Sequence, residues 1–389
     1  MQSTGHRRIL ARAGCRLAAG VLLLMLVGAC QSAPAAAPTS SAAKPSTTVV
    51  AAPSAAPLVT ASPSAVAAAL PVPPLPPKPP VPSGGPEKLR FATDFGFNGR
   101  HAPYFVALAK GFFRDVGLDV EIVRGAGSQD AIKQVGAGNA QVAFADMATL
   151  IALRANENVP VKQLSVIYNR PPQALYCLAE SGIKVPKDLE GKRLADSASS
   201  GVPKIFPAYA KAEGIDVNKV TWVFADSTAL PSLLVSKQVD CVSQFIVGQA
   251  LLEKAAAPKP LVRFAFSDAP GMDFYSNGIV ASDETIQTKP DVLRRFVYAV
   301  NEGLTYAFEH PDEAAQIMNQ AHPEVDVDIA KAETLAVESL ALTPETAQHG
   351  IGYVDPARVQ KTIDIITPAL ELNRTISVNE VYAPGFVGP

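Results

Sequence analysis

From Glu87 onward, short apolar strand patterns alternate with amphipathic helical ones for about 300 residues, which leaves few architectures open. "KLRFAT" reads as a strand, "APYFVALAKGFFRDVG" has helical spacing up to Gly117, and "LDVEIV" is the next strand. "GSQDAIKQVGAGN" follows as a helix with Ser128 placed to cap it, then the strand "AQVAFAD", the helix "MATLIALRANEN" and the strand "VKQLSVIY". A second unit begins near "QALYCLAE". It has its own alternation through "KRLADS", "GVPKIFPAYAKAEG", "KVTWVFAD", "ALPSLLVSKQ", "VDCVSQF" and "LVRFAFSD". "FYSNGIVAS" reads as a return crossing, after which long amphipathic helices follow without further clear strands. The expected class is α/β with parallel sheets, as two lobes joined by two crossovers in a clam-shell. The first lobe is expected at residues 87–172, the second at 173–274, and a helical return to the first at 275–389. In open α/β sheets ligands sit outside the carboxyl ends of the strands, which places a ligand in the cleft between the lobes.

The chain before Glu87 is of another kind. Its first sixteen residues hold Arg7, Arg8, Arg12 and Arg16 and no acid, and the apolar run "LAAGVLLLMLVGA" follows to Ala29. A basic start, a short apolar stretch and small residues at the end describe an export signal over residues 1–29. Thirteen apolar residues are too few to span a bilayer, which takes about 20. "LVGAC" resembles a bacterial lipobox, so Cys30 is the expected site of lipidation by diacylglycerol and palmitate. Residues 30–86 are almost wholly Ala, Pro, Ser, Thr and Val, too poor in bulky apolar groups to repay ordering, and read as a disordered tether. The expected location is the extracytoplasmic face of the cell membrane, held by that anchor. Losing the four leader arginines takes the formal net charge from −2 to about −6, and no basic stripe supports nucleic-acid binding. Of the four cysteines only Cys177 and Cys241 lie in the folded part, where a bridge and buried free thiols both remain open.

The strand ends carry the chemistry. They read "DFGFNGRHAPYF", "RGAGSQD", "ADMATL" and "YNRPP" in the first unit, and "ADSASSGVPK", "ADSTALP" and "SQFIVG" in the second. Small and hydroxylated residues running into helix N-termini present free backbone N–H groups, and aromatic residues are interleaved with them. Flat apolar faces beside convergent hydrogen-bonding groups suit a small aromatic ligand. Phe105, Phe112 and Phe113 have helical spacing and read as core. Phe95 and Phe97 share a face by alternation, so one belongs to the core and the other to the cleft. Tyr104 either caps the first helix or lines the site. Asp146 either accepts from a ligand or caps the helix it precedes. "SASSG" can be a cap, though it has more hydroxyls than one cap requires. Arg100 and Asp94 can be read as a pair for a zwitterion, whereas His101 reads as structural and Trp222 as core. Tyr168 and Tyr275 flank the two crossovers and are expected to sense closure. No nucleophile elbow, P-loop, dinucleotide fingerprint or metal-ligand spacing appears, so no catalytic residue, cofactor or metal is expected.

"HAPYFVALAKGFFRDVGLDVEIV", "DAIKQVGAGNAQVAFAD", "VPKDLEGKRLADS" and "PDVLRRFVYAVNEGLTYAFEHPDEAAQIM" resemble the substrate-binding proteins of the thiamine-pyrimidine and sulfonate type that serve ABC importers. The resemblance runs over residues 87–386. It implies the two-lobe type II periplasmic-binding-protein fold, an ABC permease as partner, and a monomer. The same fold includes a pyrimidine synthase with a cysteine-rich iron motif. The matching stretch here is "DSASSG", which has no cysteine, and this disfavours the enzyme reading. "TDFGFNGRHAPYF", "DSTALPSLL" and "VDCVSQFIVG" look closest to the branch that binds riboflavin for import, with a hydroxymethylpyrimidine-type precursor as the alternative ligand. On that resemblance Phe97, Tyr168 and Phe245 would stack on the ring, Asp94, Asn98 and Asp146 would meet its imide, and Ser199, Ser200 and Asp226 would suit the ribityl hydroxyls. Tyr104 and Tyr275 complete the expected ligand contacts.

Overall fold

A computed structural model describes residues 70–387 except Ser199. The leader, Cys30 and most of the tether lie outside the described residues, as does Ser199. Ten strands form two five-stranded sheets. The first contains β1 (Glu87–Ala92), β2 (Leu118–Val123), β3 (Val142–Asp146), β4 (Val161–Val166) and β10 (Asn277–Ser282), in the order β2-β1-β3-β10-β4. The second contains β5 (Gln173–Leu178), β6 (Arg193–Asp196), β7 (Thr221–Phe224), β8 (Cys241–Phe245) and β9 (Leu261–Ala265), in the order β7-β6-β8-β5-β9. Each sheet repeats the same arrangement, and neither is wholly parallel as the sequence suggested. β10 runs antiparallel to β3 and β4, and β5 runs antiparallel to β8 and β9. The cause is topological: the strand that enters each lobe from the other must cross the sheet in reverse.

That reversal brings the carboxyl ends of the two sheets side by side. β4 leads into β5 through residues 167–172, and β9 returns to β10 through residues 266–276. Both crossovers therefore leave the carboxyl end of one sheet and enter beside the carboxyl ends of the other, with Gln173 opposite Phe245 and Asn277 opposite Asp146. The crossovers are also tied together. Ile167 and Tyr168 donate their backbone N–H groups to the Asn277 carbonyl at 2.9 and 2.8 Å, and Ser276 donates to the Tyr168 carbonyl at 3.1 Å. Two α/β lobes facing each other across paired crossovers match the clam-shell that the strand and helix patterns implied, and the periplasmic-binding-protein fold that the resemblance implied.

Helices cover both faces of each sheet. The long helix Pro290–Glu309 buries Leu293, Phe296, Val300 and Leu304 against β1 and the helix Ala102–Ala109, placing Phe296 5.2 Å from Phe91. The helix expected to reach Gly117 unbroken is two helices, Ala102–Ala109 and Phe112–Asp115. Gly111, at φ 83°, is the left-handed residue between them. The helix Pro356–Ala369 packs Val359, Ile363 and Ile366 into a core shared with Ile205, Phe206 and Tyr209 of the second lobe. Trp222 packs on the same cluster, its ring 5.5 Å from Phe206. Cys177 and Cys241, paired across β5 and β8, are joined in a disulfide. The last stretch of the proline-rich segment does not stand clear of the domain. Leu70 and Val72 pack on the first-lobe core, and Pro73 is buried.

Candidate functional site

At the carboxyl end of β1, Asp94 is the centre of a buried polar network. Its Oδ1 accepts from Arg100 Nη2 and faces His101 Nε2, both at 3.0 Å, and its Oδ2 accepts from Asn277 Nδ2 at 3.0 Å. The network continues along the sheet edge. Ser276 Oγ bridges Asn277 Oδ1 at 3.0 Å and Asp146 Oδ2 at 2.8 Å, and Asp146 Oδ1 takes the Thr149 N–H at 2.8 Å. Three strands thus meet in one hydrogen-bonded line across β1, β10 and β3. Burial raises Asp94, but the Arg100 charge and the His101 hydrogen bond outweigh it and hold the carboxyl below its usual range. Burial depresses His101 in spite of Asp94, keeping the imidazole neutral at physiological pH. Asp146 has no cation beside it, and burial, aided by the Asp94 charge, raises it. Glu333, on the helix Val327–Ala341, accepts the Arg100 backbone N–H at 3.0 Å and is raised by burial.

The remaining expected residues divide into groups. Asn98 stands at the start of the turn Gly99–His101, and its Oδ1 is buried without a hydrogen-bond partner. Tyr104 sits as a core residue, its ring 5.0 Å from Phe91 and 5.6 Å from Phe144. Tyr168 is also fully buried, edge-on to Phe144 at 5.3 Å, with an unpartnered hydroxyl. Phe97 turns to the helical side, 5.2 Å from Phe105 and 4.2 Å from His322, with the Arg124 guanidinium 4.8 Å from its centroid. Its neighbour Phe95 is left 51% exposed at the strand end. Of the two rings that alternation could not separate, Phe95 is the free one. Asp146 caps the helix Met147–Glu157. Ser128 does not cap its helix; Gly127 holds that place, and Ser128 Oγ accepts the Asp146 N–H at 3.1 Å instead.

On the second lobe, Asp196 ends β6 and is raised by burial against the opposing effect of Ser243 and Ser200. Ser200 Oγ takes the Val202 N–H at 3.2 Å at the start of the helix Val202–Ala212. Asp226 is exposed and closes its own turn on Thr228, at 2.9 Å to N and 2.6 Å to Oγ1. Phe245 is half-buried and packs against the cores of both lobes. Phe224, at the end of β7, is 56% exposed and was not singled out by sequence. Gln173, at the start of β5, is buried with Oε1 unpartnered. Among the described residues no three His, Cys, Asp or Glu side chains gather as metal ligands, and no helix is long and apolar enough to cross a membrane.

Between the crossovers lies a second cluster that sequence reading missed apart from Tyr275. Arg358, on the helix Pro356–Ala369, donates to the Asn169 carbonyl and Oδ1, both at 2.8 Å, to Asp273 Oδ1 at 2.6 Å and to Glu345 Oε2. Its guanidinium lies 4.2 Å from the Tyr275 ring centroid, and the Tyr275 hydroxyl donates to Glu345 Oε2 at 2.9 Å. One side chain thereby grips both crossovers.

Comparison with known proteins adds family and fold. The family described as NMT1/THI5 like matches residues 98–314, more than half of the chain. The riboflavin-binding protein RibY of Chloroflexus aurantiacus is 26% identical over 95% of this chain and 97% of its own length. A putative thiamine biosynthesis protein of Haemophilus influenzae is 28% identical over 61% of this chain and 74% of its own. A 4-amino-5-hydroxymethyl-2-methylpyrimidine phosphate synthase of Legionella pneumophila is 26% identical over 59% and 72%. Among solved structures, the alkanesulfonate-binding protein SsuA of Xanthomonas axonopodis pv. citri superposes with a TM-score of 0.61 at 11% identity, covering 78% of this chain and all of its own.

Proposed function

Because this chain belongs to the NMT1/THI5-like family, we propose that it is the substrate-binding component of an ABC importer that captures riboflavin between its two lobes and hands it to a membrane permease. The observation that carries this reading is the span of the RibY similarity. It runs over 95% of the chain, whereas the synthase relatives match about three fifths of it. The exposed rings at the facing edges agree with it: Phe95 and Phe224 offer flat surface at strand ends, and Phe245 lies where the lobes meet. Asp94, Asn98 and Asp146 are proposed to meet the ring's imide, and Ser199, Ser200 and Asp226 the ribityl chain. Cys30 is the proposed lipid anchor, holding a monomeric receptor on the extracytoplasmic face of the membrane.

A pyrimidine precursor of the hydroxymethylpyrimidine type is the second reading, favoured by the thiamine-related names of several relatives. A synthase activity is disfavoured, because Cys177 and Cys241 are committed to each other and cannot supply iron ligands. Titration of the purified chain with riboflavin, followed by flavin fluorescence, tests the proposal. Stoichiometric quenching supports it. Unquenched fluorescence together with a thermal shift on hydroxymethylpyrimidine transfers the function to the second ligand.

A further inference from the structure

Eight of the thirteen residues from Leu70 to Pro82 are proline, a composition that suits a free tether, yet this run lies against the first lobe. Leu70 and Val72 pack on the first-lobe core, and Pro73, Pro74 and Pro76 line one groove with residues 347–351 and Val387. Lys78 Nζ, the single charge of the run, stands 4.0 Å from Asp115 Oδ2. Val81 lies beside Gly117, where an added Cβ would come within 2.8 Å of Val81 Cγ1. Each proline ring fixes φ in advance, so laying such a segment down costs less ordering entropy than it would for an ordinary chain.

The two ends of this run mark opposite ends of the first sheet. Gly117 accepts the N–H of Glu87, the first residue of β1, at 3.0 Å, so Val81 sits at the amino end of that strand. At the other end, the groove residue Ile351 is held by Asn301 Nδ2 at 2.8 Å, and its neighbour Gly352 accepts the Val166 N–H at 3.1 Å. Val166 is the last residue of β4 before the first crossover. Pro73, Pro74 and Pro76 therefore sit level with the carboxyl ends of the strands. The chain is long enough for this: from Pro76 to Glu87 polyproline II covers about 34 Å, against about 20 Å for a six-residue strand.

We infer that residues 70–82 are a fixed strap, which moves the point where the tether meets the domain from the amino end of β1 to the side of the first crossover. An anchor at Cys30 then holds the receptor by its cleft end, the end from which a ligand leaves. That consequence rests on the proposed lipidation of Cys30; the strap itself does not.

Photo-cross-linking of the full chain with a diazirine-bearing amino acid at Pro74 provides the test, with the linked peptides identified by mass spectrometry. Links are expected at residues 347–351 and Val387. Leu70→Ser combined with Val72→Ser removes the apolar contacts that hold the strap, and should lower the yield of those links by about half or more, since local opening follows the contacts that oppose it. Far-UV circular dichroism checks that the variant folds, and the wild-type pattern stands without it. Links scattered over the domain, links confined to the tether's own residues, or an unchanged yield in the variant would overturn the strap. The cross-links form with or without lipid on Cys30 and without riboflavin, so failure of the strap and failure of the proposed function are read separately.

Discussion

Replacing Arg358 by Met keeps the aliphatic stem and removes the fork that holds both crossovers. The guanidinium is 17% exposed and meets Asn169 on the first crossover, Asp273 and Tyr275 on the second, and Glu345. Deleting one partner of a buried ion pair destabilises by about 3–5 kcal/mol. Two features place this case at the lower end. Glu345 keeps the Asn169 amide and the Tyr275 hydroxyl as donors, and Asp273 is 56% exposed and keeps Lys361 at 3.1 Å. The expected loss is about 3 kcal/mol, or about 6 °C in Tm for a domain of this size. Arg358→Lys should recover less than half of it, because a single ammonium cannot serve acceptors on both crossovers at once. Urea unfolding followed by circular dichroism measures the difference. Ligand affinity should weaken in parallel, since the clamp holds the lobes in register. A change within about 0.5 kcal/mol, the range of an ordinary surface substitution, would refute the clamp.

Other consequences can be measured separately. Reducing the Cys177–Cys241 bridge, which closes a loop of 64 residues, should lower unfolding stability by up to about 4 kcal/mol, seen as a shifted urea midpoint with and without reductant. His101 is depressed from its ordinary value of 6.5, so the stability of its neutral form is complete above pH 6.5 and is lost as pH falls through its folded value. His101→Gln should accordingly lose less stability than the wild type between pH 7 and pH 5, and identical profiles would contradict the assignment. Phe95→Ala should weaken ligand binding about 10-fold with Tm nearly unchanged, because the ring is half-exposed, whereas Phe97→Ala should lower Tm through its packing on Phe105 and His322.

Much of the fold was legible because period-two and helical patterns stand out between turn residues. The two sheets' strand order was not, since it depends on which strands cross between lobes rather than on local pattern. Within the site, local competition decided several outcomes. Asp146 precedes a helix and also lies at a strand end; the structure shows the cap, with Ser276 holding its second oxygen. Tyr168 looked like a cleft residue beside Pro171, yet its ring is enclosed with Phe144 in the first-lobe core. Phe95 and Phe97 differ through a long-range contact: His322, far along the chain, captures Phe97 and leaves Phe95 free. Arg358 and Asn169 are 189 residues apart, and no periodicity connects them. The return crossing was read at "FYSNGIVAS", a stretch that contains Tyr275 but not Asp273, the residue Arg358 holds there.

The most direct test of the central claim is a fluorescence titration of riboflavin with the purified full chain. The account predicts quenching that saturates at one flavin per protein and weakens in Phe95→Ala. Fluorescence that stays constant past an equimolar ratio at micromolar concentrations would contradict it.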